Sequence, residues 1–403
     1  MRAIFASSLR GSDESRTVTP LELFFDLVFV FAVSQLTHLL VAHFDTRGAI
    51  ETLILTLAVV YAWYMTAWVT NWMSPGHLPV QALLLTIMLL SLLMSSGIDG
   101  AFTDHGWLFV IPYVVIQVGR AAFATVTFTP GSNQHIHFVN VLLWELAVTV
   151  LWIAGAFADG DTRIALWALA VLALHAGVAV FHAIPGRPRS HLRAPIGPDA
   201  RGVHSEVAGE HVLERLRLLF LIALGETLIT TGATFASADV TIGPIAALVN
   251  AFLASVALWY LYFQRAEGVG LQANEASEDA SGVASIGTHA ITLVFVALIA
   301  IAVGNEFAIA HPGGDPSAGY IALVFGGPAL FLLSQIWFMW RVGATGLKPR
   351  IIGVPALAVL AVATYPTSLL LASIAATAVL VAVAAKDVRP GSSLALRGFG
   401  TSC

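Results

Sequence analysis

The chain has 403 residues, of which 58% are hydrophobic and 11% charged, with a net charge of −5 and a mean hydropathy of +0.84. An ordinary soluble domain is about 25% charged, and no globular core can bury this many apolar runs of about 20 residues, the length that crosses about 30 Å of hydrocarbon. A soluble protein is therefore excluded, and the small, scattered charge gives no basis for a nucleic-acid partner.

An all-α polytopic membrane helix bundle is expected, with the lipid bilayer as its surroundings. The single cysteine, Cys403, is the last residue, which excludes intramolecular disulfides and any cysteine-based metal or nucleophile site in the body of the chain. The apolar stretch within residues 1–8 is too short for a signal peptide, so the first hydrophobic helix is expected to direct insertion.

Apolar segments follow at 20–43, 50–72, 78–97, 107–128, 138–158, 162–184, 211–235, 241–263, 286–310, 318–341, 350–365 and 366–385, giving about twelve transmembrane helices. Only Tyr365-Pro366 separates the last two, so a single kinked or re-entrant segment is the alternative there. Cytoplasmic loops should hold the Lys and Arg residues. With the N-terminus inside, 14 of the 19 fall in inner segments and two, Arg47 and Arg163, in outer loops, while Arg120, Arg215 and Arg217 lie within helices. Twelve spans with both ends cytoplasmic satisfy that distribution.

The longest hydrophilic break, 185–210, is rich in Pro, Gly and Arg. It suggests an N-terminal tail 1–19, a six-helix half 20–184, a cytoplasmic linker 185–210, a second six-helix half 211–385 and a C-terminal tail 386–403. Two even-numbered halves would enter the membrane from the same side, as in parallel-repeat transporters. A faint likeness supports the division: Gly106-Trp107, Pro112, Gln117 and Arg120 in span four against Gly319-Tyr320, Pro328, Gln335 and Arg341 in span ten. The acidic stretch 264–285 reads as a solvated connector.

The first span opens Thr19-Pro20-Leu21-Glu22-Leu23-Phe24-Phe25-Asp26. Its proline starts a helix well, and its two carboxylates, four residues apart, share one face. An acid at the centre of a bilayer costs about 2.5–3.5 kcal/mol on insertion scales, and segments that keep one turn it to a protein interior or a water-filled cavity. At about 1.5 Å per residue, Asp26, Glu145, Arg120, Glu214, Arg215 and Arg217 fall in one layer near the inner face. There Glu22, Asp26, Glu145 and Glu214 nearly balance Arg120, Arg215 and Arg217, as burial demands. Arg120 is the expected partner of Asp26 or Glu22. The layer is either a salt-bridge network that orients helices or a polar pathway in which a carboxylate takes up and releases a proton.

Glu226, in Leu224-Gly225-Glu226-Thr227 with Thr230 and Thr231 following, falls near the middle of span seven. It either lines a cavity or bonds across a helix pair, with Gly225 permitting close approach. The neighbouring threonines either serve that cavity or bond back to their own helix. His289 and the Asn305-Glu306 pair, beside Gly304, mark the two ends of span nine. His175 and His182 read as hydrogen-bonded helix histidines, and His135-Ile136-His137 has no cysteine or acid nearby, so neither a metal nor another cofactor is assigned. The chain has no Walker loop, no Gly-x-Ser-x-Gly elbow and no His-Glu-x-x-His, so no enzymatic activity is expected.

The opening Thr19-Pro20-Leu21-Glu22-Leu23-Phe24-Phe25-Asp26-Leu27 resembles the N-terminal signature of the bacterial low-temperature-requirement protein A (LtrA) family. Further likeness lies in Tyr113 to Arg120, in His211 through Glu214-Arg215 to Gly225-Glu226, in Trp259-Tyr260-Leu261-Tyr262-Phe263, in the span from His289 to Val303-Gly304, and in Gly326-Gly327-Pro328-Ala329-Leu330. Two places depart from it. Gly76-His77-Leu78-Pro79-Val80-Gln81 lacks the acids and arginine common there, and Arg217 replaces a small residue. The resemblance implies an integral protein of the bacterial inner membrane and supplies no biochemical activity.

A secondary transporter of an unidentified small solute or ion is the leading expectation, with Glu22, Asp26, Arg120, Glu145, Glu214, Arg215, Glu226, His289 and Glu306 along its pathway. A non-transporting scaffold or lipid-responsive factor, and an ion channel, are the alternatives; the channel lacks a repeated filter motif. The sequence does not decide between a monomer and a homo-oligomer.

Overall fold

The structure is a computed structural model and describes residues 18–181, 202–266, 268 and 280–387. The described residues form twelve α-helices and no strand: α1 Pro20–Ala42, α2 Thr46–Asn71, α3 Leu78–Ser96, α4 Gly106–Thr127, α5 Asn133–Phe157, α6 Gly160–Phe181, α7 Gly202–Ser237, α8 Ile242–Leu261, α9 Ala280–Ala310, α10 Ala318–Arg341, α11 Lys348–Ala363 and α12 Leu369–Asp387. A five-residue π-helical turn, Tyr262–Ala266, continues α8. Each expected span meets one helix, and α11 and α12 are separate.

Ten of these helices are long and apolar enough to cross a membrane. α11 is not among them, since its 16 residues reach only about 24 Å. The tail residues 1–17 and 388–403, most of the linker (182–201), His182, and the connector acids Glu267, Glu275, Glu278 and Asp279 lie outside the described residues.

Local chemistry sets the helix starts. Ser132 and Ser317 accept hydrogen bonds from the amides of His135 and Tyr320, both at 3.1 Å, as N-caps do. Pro79 and Pro349 sit in the first turns of α3 and α11, where a missing N–H costs nothing. Thr56, Thr66 and Thr70 of α2 and Thr227, Thr230, Thr231 and Thr234 of α7 bond back to carbonyls three or four residues earlier, as Thr66 does to Ala62 and Thr230 to Glu226. Their hydroxyls thereby stay satisfied without water.

The chain divides into two compact units: Met1–Leu39 with Thr46–Arg215, and Leu40–Asp45 with Leu216–Cys403. In the first, α3, α4, α5 and α6 pack successively, and α2 lies against α4 and α6. In the apolar stretch of α2, 89% of the residues are buried, so α2 is a central post and not a lipid-facing helix. An aromatic cluster of Phe109, Tyr113, Trp152 and Trp167 fills the space between α4, α5 and α6. Close approach there requires glycine: a Cβ on Gly155 would stand 2.3 Å from Trp167 Nε1, and one on Gly97 2.7 Å from the Phe109 backbone nitrogen.

In the second unit α9, α10, α11 and α12 pack successively, and α8 lies against α9 and α12. A Cβ on Gly304 would meet Val324 at 2.8 Å, so that glycine does bring α9 close to α10. Gly225 does not play such a part. A Cβ there meets nothing within 4 Å among the described residues.

Candidate functional site

In the first unit the structure places the sequence's intramembrane charges against one another around α2. Thr19, just before α1, and Glu22, in its first turn, form a reciprocal cap. The Thr19 amide and hydroxyl each donate to Glu22 Oε2 at 2.9 Å, and the Glu22 amide lies 3.4 Å from Thr19 Oγ1, the pattern of a capping box. The other carboxylate oxygen, Oε1, faces His211 of α7, with Nε2 at 3.2 Å. Both side chains are wholly buried.

One turn further along both helices, Arg215 Nη2 donates to Asp26 Oδ1 at 2.5 Å, again with both side chains fully buried. The two acids of α1 and the two basic residues of α7 share a four-residue spacing, so the helices present matched pairs, acid to base. α2 completes this cluster. Trp63 Nε1 donates to Asp26 Oδ1 at 2.7 Å, and Arg215 Nη1 donates to Thr70 Oγ1 at 3.1 Å. The guanidinium also lies over the rings of Phe25 and Trp63, at 5.1 and 5.6 Å, within cation–π range.

A second cluster occupies the α4–α5 side of α2. Arg120 Nη2 lies 3.4 Å from Glu145 Oε1, with side-chain exposures of 0% and 2%. Tyr61 donates to the same carboxylate oxygen at 2.9 Å. Arg120 also donates to Gln117 and, at 3.3 Å each, to the Ala62 carbonyl and Thr66 Oγ1. Thr70, the acceptor for Arg215, donates to the Thr66 carbonyl at 3.0 Å. The clusters therefore meet along one face of α2, through Thr66 and Thr70.

The expected pairing of Arg120 with Asp26 or Glu22 is not what the structure holds. Arg120 of α4 meets Glu145 of α5 instead, and α7 supplies the partners of α1. Glu214 is half-buried, and Arg217 is exposed with its guanidinium 5.7 Å from the Phe263 ring.

Glu226 and Glu306 are half-buried in the second unit. His289, also half-buried, has its ring edge-on to Trp337 with centroids 6.5 Å apart. His175 bonds the Val171 carbonyl of its own helix at 3.0 Å, the ordinary helix-histidine arrangement. Among the described residues no group of three or more His, Cys, Asp or Glu side chains could hold a metal ion.

Sequence reasoning overlooked Trp63, Tyr61, Thr70 and His211 as cluster members, and it missed a third buried centre. Arg350, counted as a loop residue, is wholly buried in the first turn of α11. It pairs with Asp387, donates to Gln335 Oε1 at 2.8 Å and donates to the Leu261 carbonyl at 3.0 Å. That carbonyl stands where α8 passes into its π turn, a place where helical hydrogen bonding is rearranged.

Residues 17–385 match the family model of the bacterial low temperature requirement A protein (LtrA). The chain is also 31% identical over 336 residues to an uncharacterised protein of Rhizobium meliloti (strain 1021), a match covering 81% of this chain and 78% of that protein. No solved structure matches.

Proposed function

The chain belongs to the bacterial low temperature requirement A family, and on that footing we propose that this integral membrane protein is a secondary transporter. It moves a small solute or ion across the bacterial inner membrane, with both termini in the cytoplasm. The charge-exchanging element is the paired set Glu22–His211, Asp26–Arg215 and Glu145–Arg120.

One observation carries the reading. Three acid–base pairs, each wholly or almost wholly buried, are assembled from four helices around a fifth inside a unit built to lie in lipid. Charges at such depth are expensive and by default mark solute or proton routes. Buried pairs are poor stabilisers compared with apolar side chains of the same size. Glu22 and His211 share one proton, as an ion pair or as a neutral acid–imidazole pair, and uptake or release of a further proton changes the net charge of the pair by one. Asp26 Oδ2, Arg215 Nε and Arg120 Nε make no hydrogen bond among the described residues, so Asp26 keeps an oxygen for a proton or a water molecule, and each arginine keeps an N–H for a water molecule.

A second reading, a non-transporting membrane factor, is favoured by the density of locking contacts. Trp63 and Arg215 share one oxygen of Asp26, and Tyr61 and Arg120 share one of Glu145. Reconstituted vesicles separate the two readings. A transporter gives solute or ion fluxes whose pH dependence changes in Glu22→Gln and Asp26→Asn. If both variants leave every flux and its pH profile as in the wild type, the transport reading is abandoned.

A further inference from the structure

The second unit carries a recess of about 440 Å³ where α7 ends, α8 begins and α9 ends, lined among others by Thr234, Ser237, Asp239, Thr241, Ala310 and Pro312. That volume suits a small ligand, and two of the three helix ends that border it are negative. The C-termini of α7 at Ser237 and α9 at Ala310 both border it, each carrying about half a negative charge. The N-terminus of α8 opposes them with about half a positive charge. Asp239 is exposed at the rim, and no Lys or Arg is among the lining residues. His311, exposed between Ala310 and Pro312, is the neighbouring group that protonation would make positive.

Below the recess, Ser237, Thr234, Thr230 and Glu226 follow at separations of three, four and four, hence on one face of α7. Their hydroxyls are oriented by the helix itself: Thr234 Oγ1 donates to the Thr230 carbonyl at 3.0 Å, and Thr230 Oγ1 to the Glu226 carbonyl at 3.0 Å. A hydroxyl whose proton is committed in this way has only oxygen lone pairs left to offer. The stripe therefore suits a cation or an ammonium group better than an anion. From Thr234 the carboxylate-bearing residue Glu226 is about 12 Å further along the helix axis. Thr230, 8% exposed, lies between them on that face.

We propose that this recess is the cation-attracting mouth of a route along α7 to Glu226, taking a small inorganic cation or a primary ammonium group. Its place in transport rests on the reading above; its charge preference does not. The test uses the full chain with Cys403→Ser, in lipid nanodiscs that expose both membrane faces, carrying Thr234→Cys, Ser237→Cys or the lipid-side control Ile229→Cys (Ile229 is 66% exposed). A trimethylammonium and a sulfonate methanethiosulfonate are compared, each normalised to its rate with a free thiol.

The expected result is that Thr234→Cys and Ser237→Cys both react, with the cationic reagent favoured about fivefold at low salt. That is the ratio a full charge within about 8 Å produces in water, and adding Asp239→Asn should reduce it by about the same factor. Ile229→Cys should not react. Equal rates for the two reagents, or reaction at 237 with none at 234, overturn the proposal. In vesicles, modification of Thr234→Cys should abolish cation flux, and undiminished flux after complete modification also overturns the route. If the wild type moves no cation while labelling is charge-selective, transport fails and the cation-attracting recess stands.

Discussion

Removing Arg215 from its pair with Asp26 gives the sharpest energetic test of the first unit. In Arg215→Met the Asp26 carboxylate, 0% exposed, keeps only the Trp63 indole N–H at 2.7 Å. Thr70 Oγ1 loses the donor at 3.1 Å, and the stacking over Phe25 and Trp63 goes with it. Leaving one member of a buried pair uncompensated costs about 3–5 kcal/mol. Asp26→Leu strands the guanidinium instead and falls in the same range. The double variant strands neither charge, and a pair replaced by apolar groups of similar volume is close to neutral. It should therefore be more stable than either single variant, with a coupling of at least about 2 kcal/mol, well above the scatter of about 0.5 kcal/mol between independent sites. Detergent-solubilised protein unfolded by denaturant, or by heat where unfolding is reversible, gives the four stabilities. A double variant whose loss equals the sum of the singles would refute the assignment of Asp26 and Arg215 to each other.

Tyr61→Phe removes a hydrogen bond to a carboxylate, worth about 1.5–3 kcal/mol, and should cost that much by the same unfolding measurement; a loss below 0.5 kcal/mol would place Glu145 elsewhere. Arg350→Met should destabilise the second unit by about 3–5 kcal/mol, with Arg350→Met/Asp387→Leu recovering part of the loss. Gly97→Ala should cost about 1–3 kcal/mol, because its Cβ would meet the Phe109 backbone nitrogen at 2.7 Å. Gly232→Ala, whose Cβ meets nothing within 4 Å among the described residues, should stabilise α7 by up to about 1 kcal/mol; thermal midpoints of opposite sign check the pair.

Hydropathy located the helices well because in lipid every backbone amide must be satisfied within its own segment. Span ten, expected at 318–341, is α10 Ala318–Arg341. Contacts between side chains were less legible. Position along a helix follows from counting residues, but direction around the axis needs the neighbours, which is why the sequence points Arg120 to an acid of α1 and the structure pairs it with Glu145. A readable cue existed: Thr19-x-x-Glu22 is a capping-box pattern, and Glu22 and Asp26 repeat the spacing of His211 and Arg215. Trp63 and Tyr61 gave no cue, since an aromatic in an apolar run looks like core packing until its polar atom meets an acid. Arg350 misled for the opposite reason. A basic residue at the edge of a hydrophobic window reads as a loop charge, and only the approach of Asp387 at the end of α12 shows that it is buried.

Charge movement after a pH jump, recorded electrically on proteoliposomes adsorbed to a solid-supported membrane, tests most directly whether the buried pairs exchange protons. Wild-type protein should give a transient that scales with the jump. Glu22→Gln and His211→Gln should abolish it while the folded fraction, read by size-exclusion profile and thermal midpoint, stays near that of the wild type. A transient of wild-type size in both folded variants would contradict the account and leave the network a structural lock.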